Sequence, residues 1–117
     1  MVTRRKGFSR GDIVLLTLNP TRGREQQGER RPVLVLSPKS FNDLGMVLIA
    51  PITQGGAFSR YQGFTVTLLG TGAKTQGVVL LNQCRMVDIT ARCGEFIEKV
   101  DQIVIEDALA KLHTLIE

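Results

Sequence analysis

Three polar residues with complementary chemistry lie at the edges of predicted strands. Arg31 directly precedes the apolar run 33–36, Thr53 follows the next apolar run, and Glu25 lies in the polar segment before Arg31. A guanidinium can bind two phosphate oxygens, a hydroxyl can donate a hydrogen bond to the same phosphate, and a carboxylate can accept a proton. This set suits cleavage of RNA, because RNA carries its own 2′-hydroxyl nucleophile and the reaction then requires no metal ion.

The same three residues also have explanations that involve no chemistry. Arg31 could form an ion pair with Glu29 or Asp12, and Thr53 could cap a turn. Both explanations stay open on the pattern alone.

Two polar loops, residues 20–31 and 54–63, carry basic, amide and aromatic side chains that could contact RNA. The aromatic residues among them could stack on bases or pack against the protein. The predicted RNA contacts in and beside these loops are Arg22, Arg24, Gln27, Arg30, Gln54, Phe58, Arg60 and Tyr61.

The length and composition indicate one globular domain spanning residues 1–117, with 43% apolar residues. No apolar run approaches the roughly 20 residues of a membrane span, and no apolar segment follows the charged N-terminus as in a signal peptide. Cys84 and Cys93 are too few for a disulfide framework, so reduced thiols and a cytoplasmic location are expected. A disulfide between them is the alternative.

The net charge of +4 is unevenly distributed. Residues 1–31 contain eight Lys and Arg against three Asp and Glu, whereas residues 94–117 contain two against six. A basic N-terminal part indicates a polyanion partner, although solvated surface charge explains it about equally well.

Other chemistries find little support in the chain. The only histidine is His113, which lies in the predicted C-terminal helix and excludes a nuclease built on two histidines of one chain. The sequence shows no tight cluster of metal-ligating residues, no phosphate-binding glycine motif and no Cys or Ser beside an obvious base. Neither a metal nor an organic cofactor is expected.

Short apolar segments separated by turn residues predict a small antiparallel barrel followed by one helix. Apolar residues at helical spacing predict the helix over residues 100–116, with Asp101 as its N-cap. Residues 39–44 are expected to form one helical turn. The predicted strands are 13–18, 33–36, 46–50, 64–68, 78–81 and 84–89.

Five motifs in this order resemble the MazF/PemK family of toxins, in its ChpB-like branch. They extend over nearly the whole chain and read Gly11-Asp12-Ile13-Val14, Asn19-Pro20-Thr21-x-Gly23-x-Glu25-Gln26-x-Gly28, Arg31-Pro32-Val33-Leu34-Val35-Leu36-Ser37, Pro51-Ile52-Thr53 and Asn82-Gln83-x-Arg85.

The resemblance implies an SH3-like barrel with a C-terminal helix, a homodimer and a metal-independent endoribonuclease. Such enzymes cut single-stranded RNA, mainly mRNA, and leave a 2′,3′-cyclic phosphate and a 5′-hydroxyl. A cognate antitoxin protein neutralises them by covering the RNA groove. Arg31 and Thr53 fall on the family's catalytic positions, and Glu25 falls on its nearby acidic position.

One departure concerns the Arg-x-Asp pair that some PemK-type members carry. Leu80 and Asn82 occupy those positions here, so the resemblance implies that the chemistry depends on Arg31 and Thr53. Asn82, Gln83 and Arg85 remain predicted RNA contacts.

Two alternatives stay open. The first is a non-enzymatic, gyrase-poisoning toxin of the CcdB type, although residues 113–117 offer no aromatic anchor. The second is an RNA-binding or protein-binding barrel without catalytic activity.

Overall fold

The computed structural model describes residues 7–18, 30–54 and 63–117. These described residues form seven strands and two α-helices, with a short 3-10 helix at Leu81–Gln83 after the fifth strand. Each of the six predicted strands is present. The bounds are β1 Asp12–Thr17, β2 Arg30–Val35, α1 Lys39–Asn42, β3 Val47–Thr53, β4 Thr65–Thr67, β5 Val78–Leu80, β6 Arg85–Val87, β7 Glu95–Lys99 and α2 Gln102–Ile116.

All strand pairs are antiparallel, and the sheet runs in the order β4-β5-β3-β2-β1-β7. The long strand β3 also pairs with β6 through residues 47–49, whereas it pairs with β5 through residues 52–53. Pro51 lies between these two pairings, so its missing N–H removes no hydrogen bond from the ladders that β3 forms with β5 and β6. Within the described residues no pairing joins β4 to β7, so the sheet is not closed into the predicted barrel.

The central strands are buried on both faces, and two apolar clusters result. Alternate side chains of β1, β2 and β3 contribute to one cluster or the other, because successive residues of a strand point to opposite faces. The helix-side cluster includes Leu34, Ala50, Val79 and Val104, packed under α2. The inner cluster, on the opposite face, consists of Val14, Leu16, Val33, Val35, Val47, Ile49, Val87 and Ile89.

Two strand boundaries differ from the sequence prediction. Arg31 lies inside β2, which begins at Arg30, and was wrongly placed before the strand. Pro32 lies opposite Leu15 of β1, but the β2–β3 ladder begins only at Val33. The missing N–H of Pro32 therefore removes no hydrogen bond from the β2–β3 ladder. Strand β3 continues through Pro51 to Thr53, so Thr53 is indeed a strand terminus.

The C-terminal helix matches its prediction closely. Asp101 caps it, since its side chain accepts a hydrogen bond from the backbone N–H of Ile103 at 3.2 Å. Ile103, an apolar residue of the first turn, is 69% exposed. His113 is exposed, and its Nε2 lies 2.9 Å from Oε1 of Glu117, as expected for a surface residue.

Two further observations bear on the predictions. Cys84 and Cys93 are both free thiols. No helix among the described residues is long and apolar enough to cross a membrane.

Candidate functional site

A cavity of about 340 Å³ opens at one end of the sheet, where β1, β2, β3, β5 and β6 meet. Both apolar and polar side chains line it, and four of them are predicted site residues. The lining residues are Leu18, Arg31, Pro51, Ile52, Thr53, Leu80, Gln83 and Arg85. Arg31 and Thr53, which are 22 residues apart in sequence (53 − 31), therefore share one cavity.

The strand register explains why Arg31 and Thr53 are neighbours. Strands β2 and β3 pair with Val33 opposite Pro51 and Leu34 opposite Ala50. Arg31 and Thr53 each lie two residues beyond the last pair of this ladder, at the same end of the two strands. Both side chains line the one cavity there, where they could bind a single phosphate.

The pleat of the sheet explains the polarity of the cavity. Arg31 lies on the same face of β2 as Val33, and Arg85 lies opposite Ile49, so both belong to the face of the inner cluster. That face is apolar in the middle of the strands and becomes polar where they end. Arg31 is exposed and Thr53 is half-buried, so a ligand can reach both.

Gly77 fixes the position of the Thr53 backbone. It has a φ of +131° and lies so close that an added β-carbon would be 2.6 Å from the carbonyl oxygen of Thr53. Real β-carbons do not approach this closely, and the positive φ is itself suited to glycine. Any larger residue at position 77 would therefore displace Thr53 from the end of β3.

Two guanidinium groups converge on the Leu18 carbonyl at the rim of the cavity. Arg85 Nη2 donates to it at 2.8 Å, and Arg92 Nη1 donates to it at 2.5 Å. Within residues 7–18, 30–54 and 63–117, neither arginine forms an ion pair with a carboxylate. Arg31 and Arg85 line the cavity, so this end of the sheet carries positive charge suited to a phosphate backbone.

The remaining predicted residues lie in different places. Arg30 points toward β7, where its Nη2 donates to Glu95 at 3.1 Å and to the carbonyl of Leu15 at 3.3 Å. Gln54 and Asn82 are exposed and do not line the cavity. Seven predicted residues lie outside the described part of the chain, namely Arg22, Arg24, Glu25, Gln27, Phe58, Arg60 and Tyr61.

Sequence reasoning did not single out Leu18, Gly77 or Arg92. Leu18 was assigned to the end of a strand, and a lone glycine or arginine in a turn carries little signal by itself. Their roles depend on contacts between segments that are distant in the sequence. In the part of the chain that is described, no group of three or more His, Cys, Asp and Glu side chains is placed to hold a metal ion.

Comparison with protein families gives one match that covers most of the chain. The family described as PemK-like, MazF-like toxin of type II toxin–antitoxin system matches residues 9–116. Among curated proteins, the chain is 49% identical to the endoribonuclease toxin ChpB of Escherichia coli K12, over 99% of this chain and 100% of that protein. It is 41% identical to the endoribonuclease PemK of Escherichia coli, over 99% of this chain and 87% of the relative.

Solved structures agree with these sequence matches. The crystal structure of MazF from Deinococcus radiodurans is similar with a TM-score of 0.75 and 34% identity, covering 93% of this chain and 96% of that one. A MazE–MazF structure from the same organism is similar with a TM-score of 0.77 and 32% identity, covering 92% and 94% of the two chains.

Proposed function

The chain belongs to the PemK-like, MazF-like family of toxins of type II toxin–antitoxin systems, and from this premise we propose that it is a metal-independent endoribonuclease acting on single-stranded RNA, mainly mRNA. Relatives named as endoribonucleases match at 49% and 41% identity over nearly the whole chain. The single observation that carries the proposal is the shared cavity of Arg31 and Thr53.

The proposed reaction begins with attack of the 2′-oxygen on the adjacent phosphorus. Glu25 takes the 2′-hydroxyl proton as general base, and the bond from phosphorus to the 5′-oxygen breaks. The products are a 2′,3′-cyclic phosphate and a 5′-hydroxyl, whose proton comes from water. Arg31 binds the non-bridging oxygens, where negative charge grows in the transition state, and it stabilises the departing 5′-oxygen.

Thr53 and Arg85 have supporting roles in this proposal. The Thr53 hydroxyl donates a hydrogen bond to the same phosphate that Arg31 binds. Arg85 and Gln83 line the cavity beside them and contact the neighbouring nucleotides, with the guanidinium on a phosphate and the amide on a base edge. Arg22, Arg24, Gln27, Arg30, Gln54, Phe58, Arg60, Tyr61 and Asn82 are proposed as further RNA contacts.

We further propose a single toxin domain over residues 1–117 that acts in the cytoplasm as a homodimer and is neutralised by a cognate antitoxin. The family match over residues 9–116 supports the single domain, and a MazE–MazF structure among the similar ones supports the antitoxin. Exposed apolar side chains support self-association: Ile97 on the edge strand β7, and Ile103 and Ile116 on α2.

Primer extension on a long RNA treated with the purified protein in EDTA tests the proposed activity. We expect cuts at one short recurring sequence, with 2′,3′-cyclic phosphate and 5′-hydroxyl ends. Intact RNA would contradict the proposal and would favour a binding barrel. Intact RNA together with DNA damage signalling on expression would favour a gyrase poison.

A further inference from the structure

Strand β1 extends beyond the strand that pairs with it on one edge. Strand β7 pairs with β1 from Asp12 to Leu15, where Glu95 is its last partner. Residues 16–18 continue past this point, so their backbone groups on that edge have no neighbouring strand. Backbone N–H and C=O groups at such a position need partners from elsewhere in the fold.

Arg92 supplies those partners from the turn between β6 and β7. Its carbonyl accepts the N–H of Thr17 at 3.1 Å, and its Nη1 donates to the carbonyls of Thr17 at 2.9 Å and Leu18 at 2.5 Å. One residue thus replaces the missing strand with three hydrogen bonds. Arg85 adds a fourth bond at Leu18, from the wall of the cavity itself.

These bonds lie at the base of the connection between β1 and β2. Thr17 pairs with Arg30 across that base, so the chain leaves at Leu18 and returns at Arg30. Leu18 also lines the cavity that Arg31 and Thr53 share. A shift of Leu18 would therefore change the cavity wall beside Arg31 and Thr53.

We propose that Arg92 is a positioning residue for the reaction, which it serves by holding Leu18 and the base of the β1–β2 connection. The inference depends on the proposed RNA cleavage. Arg92 does not line the cavity, so its effect passes through Leu18 and not through RNA. A misplacement of about 1 Å in a catalytic arrangement can cost about a hundredfold in rate, so a bond of this kind has a measurable effect.

Arg10 offers a matched control at the opposite end of β2. Its Nε donates to the carbonyl of Leu36 at 2.7 Å, which is the same kind of half-buried guanidinium–carbonyl bond. Leu36 is five residues from Arg31 along the chain (36 − 31), or about 17 Å in an extended strand. Replacement of Arg10 therefore tests the cost of losing such a bond away from the cavity.

The experiment compares wild type, Arg92→Gln and Arg10→Gln on an RNA oligonucleotide containing the sequence cut in the primer-extension assay. We expect the cleavage rate at saturating RNA to fall at least about tenfold in Arg92→Gln and to stay within about twofold in Arg10→Gln. An oligonucleotide with 2′-deoxyribose at the cut position measures binding. Its Kd should change less than about threefold, with an unchanged salt dependence, because Arg92 contacts no phosphate.

Several outcomes would overturn the inference. Equal cleavage rates for the two variants would reduce Arg92 to a structural residue. A weaker Kd with a lower salt slope and an unchanged saturated rate would make it an RNA contact. If Arg92→Gln does not fold, Arg92→Lys takes its place, with a lowered saturated rate expected because an ammonium lacks the guanidinium's planar fork. Failure of wild type to cleave RNA would instead overturn the proposed function, and with it this inference.

Discussion

At the scale of single residues, the proposed chemistry depends on side chains brought together by strand register. Arg31 and Thr53 could be chosen from sequence because Arg31 directly precedes Pro32 and an apolar run, and Thr53 follows the apolar run that leads into Pro51. Their adjacency could not, since it requires knowing that Val33 pairs with Pro51. The position of Leu18 in the cavity wall also depends on Arg92, which bonds to it across 74 residues of sequence.

Gly77 gives the first prediction at this scale. Gly77→Ala should lower kcat/KM by at least about tenfold and the free energy of unfolding by more than about 1 kcal/mol, because the new β-carbon collides with the Thr53 carbonyl. RNA cleavage assays and denaturant unfolding measure the two effects.

Gly72 is the matched control for that substitution. It also has a positive φ, of +88°, but an added β-carbon would meet nothing within 4 Å. Gly72→Ala should therefore cost roughly 1 kcal/mol of stability and leave cleavage unchanged. Equal activity of the two variants would argue against a role for Gly77 in placing Thr53.

At the scale of elements, β7 shows where pattern reading failed. Its residues alternate in burial, but Phe96 is half-buried whereas its apolar neighbour Ile97 is 42% exposed. A register shift in the β1–β7 pairing places Glu98 opposite Ile13 and Phe96 opposite Val14. The half-buried Phe96 therefore faces the inner cluster, whereas Glu98, a charged residue that the pattern would place in solvent, faces the helix-side cluster. The strand is therefore not an apolar-in, polar-out segment, and its charges concealed it.

Glu98 has hydrogen-bond partners in the turn between β4 and β5 that explain why a charged residue is half-buried. Its carboxylate accepts hydrogen bonds from the N–H of Lys74 at 3.1 Å, and from the N–H and hydroxyl of Thr75 at 2.7 Å each. Burial alone raises the pKa of Glu98, but these bonds and the charge of Lys74 outweigh it and hold the pKa below its ordinary value of 4.5. The carboxylate thereby ties the turn between β4 and β5 to β7, two elements that no strand pairing joins.

The lowered pKa of Glu98 predicts a pH-dependent contribution to stability. A group whose pKa is depressed by folding stabilises the protein above its unfolded pKa, and this stabilisation is lost as the pH falls through the folded pKa. Glu98→Gln should therefore lower the free energy of unfolding by about 1 kcal/mol at pH 7, and the difference from wild type should shrink below about pH 4. Thermal unfolding at several pH values measures both.

Glu95→Gln is the matched control on the same strand. Glu95 is exposed and pairs only with Arg30 among the described residues, an arrangement typically worth at most about 1 kcal/mol. A pH dependence of Glu95→Gln equal to that of Glu98→Gln would show that the carboxylate's contacts with the turn do not matter.

At the scale of the whole molecule, the sheet joins two apolar clusters into one cooperative unit. Alternate residues of β1, β2 and β3 belong to opposite clusters, so neither cluster can lose its strands while the other keeps them. The continuously apolar run 33–36 predicted a buried strand, and apolar residues at helical spacing predicted the C-terminal helix. The predicted closure into a barrel is not seen in the described part of the chain, where no ladder joins β4 to β7 and Glu98 connects β7 to the β4–β5 turn.

Substitutions in the two clusters test this cooperativity. Leu16→Ala in the inner cluster and Leu34→Ala in the helix-side cluster should each cost about 2–5 kcal/mol, since both side chains are almost fully buried. Each variant should still unfold in a single transition that coincides by circular dichroism and calorimetry. Two separate transitions in either variant would mean that the clusters unfold independently.

The most direct test of the central claim is a double-mutant cycle in RNA cleavage by wild type, Arg31→Ala, Thr53→Ala and the double variant, all checked for folding. If both side chains act on one phosphate, each single variant loses at least about a hundredfold in kcat/KM, and the double variant loses far less than the product of the two losses. Wild-type cleavage by either single variant, or losses that multiply fully, would contradict a shared phosphate at this end of the sheet.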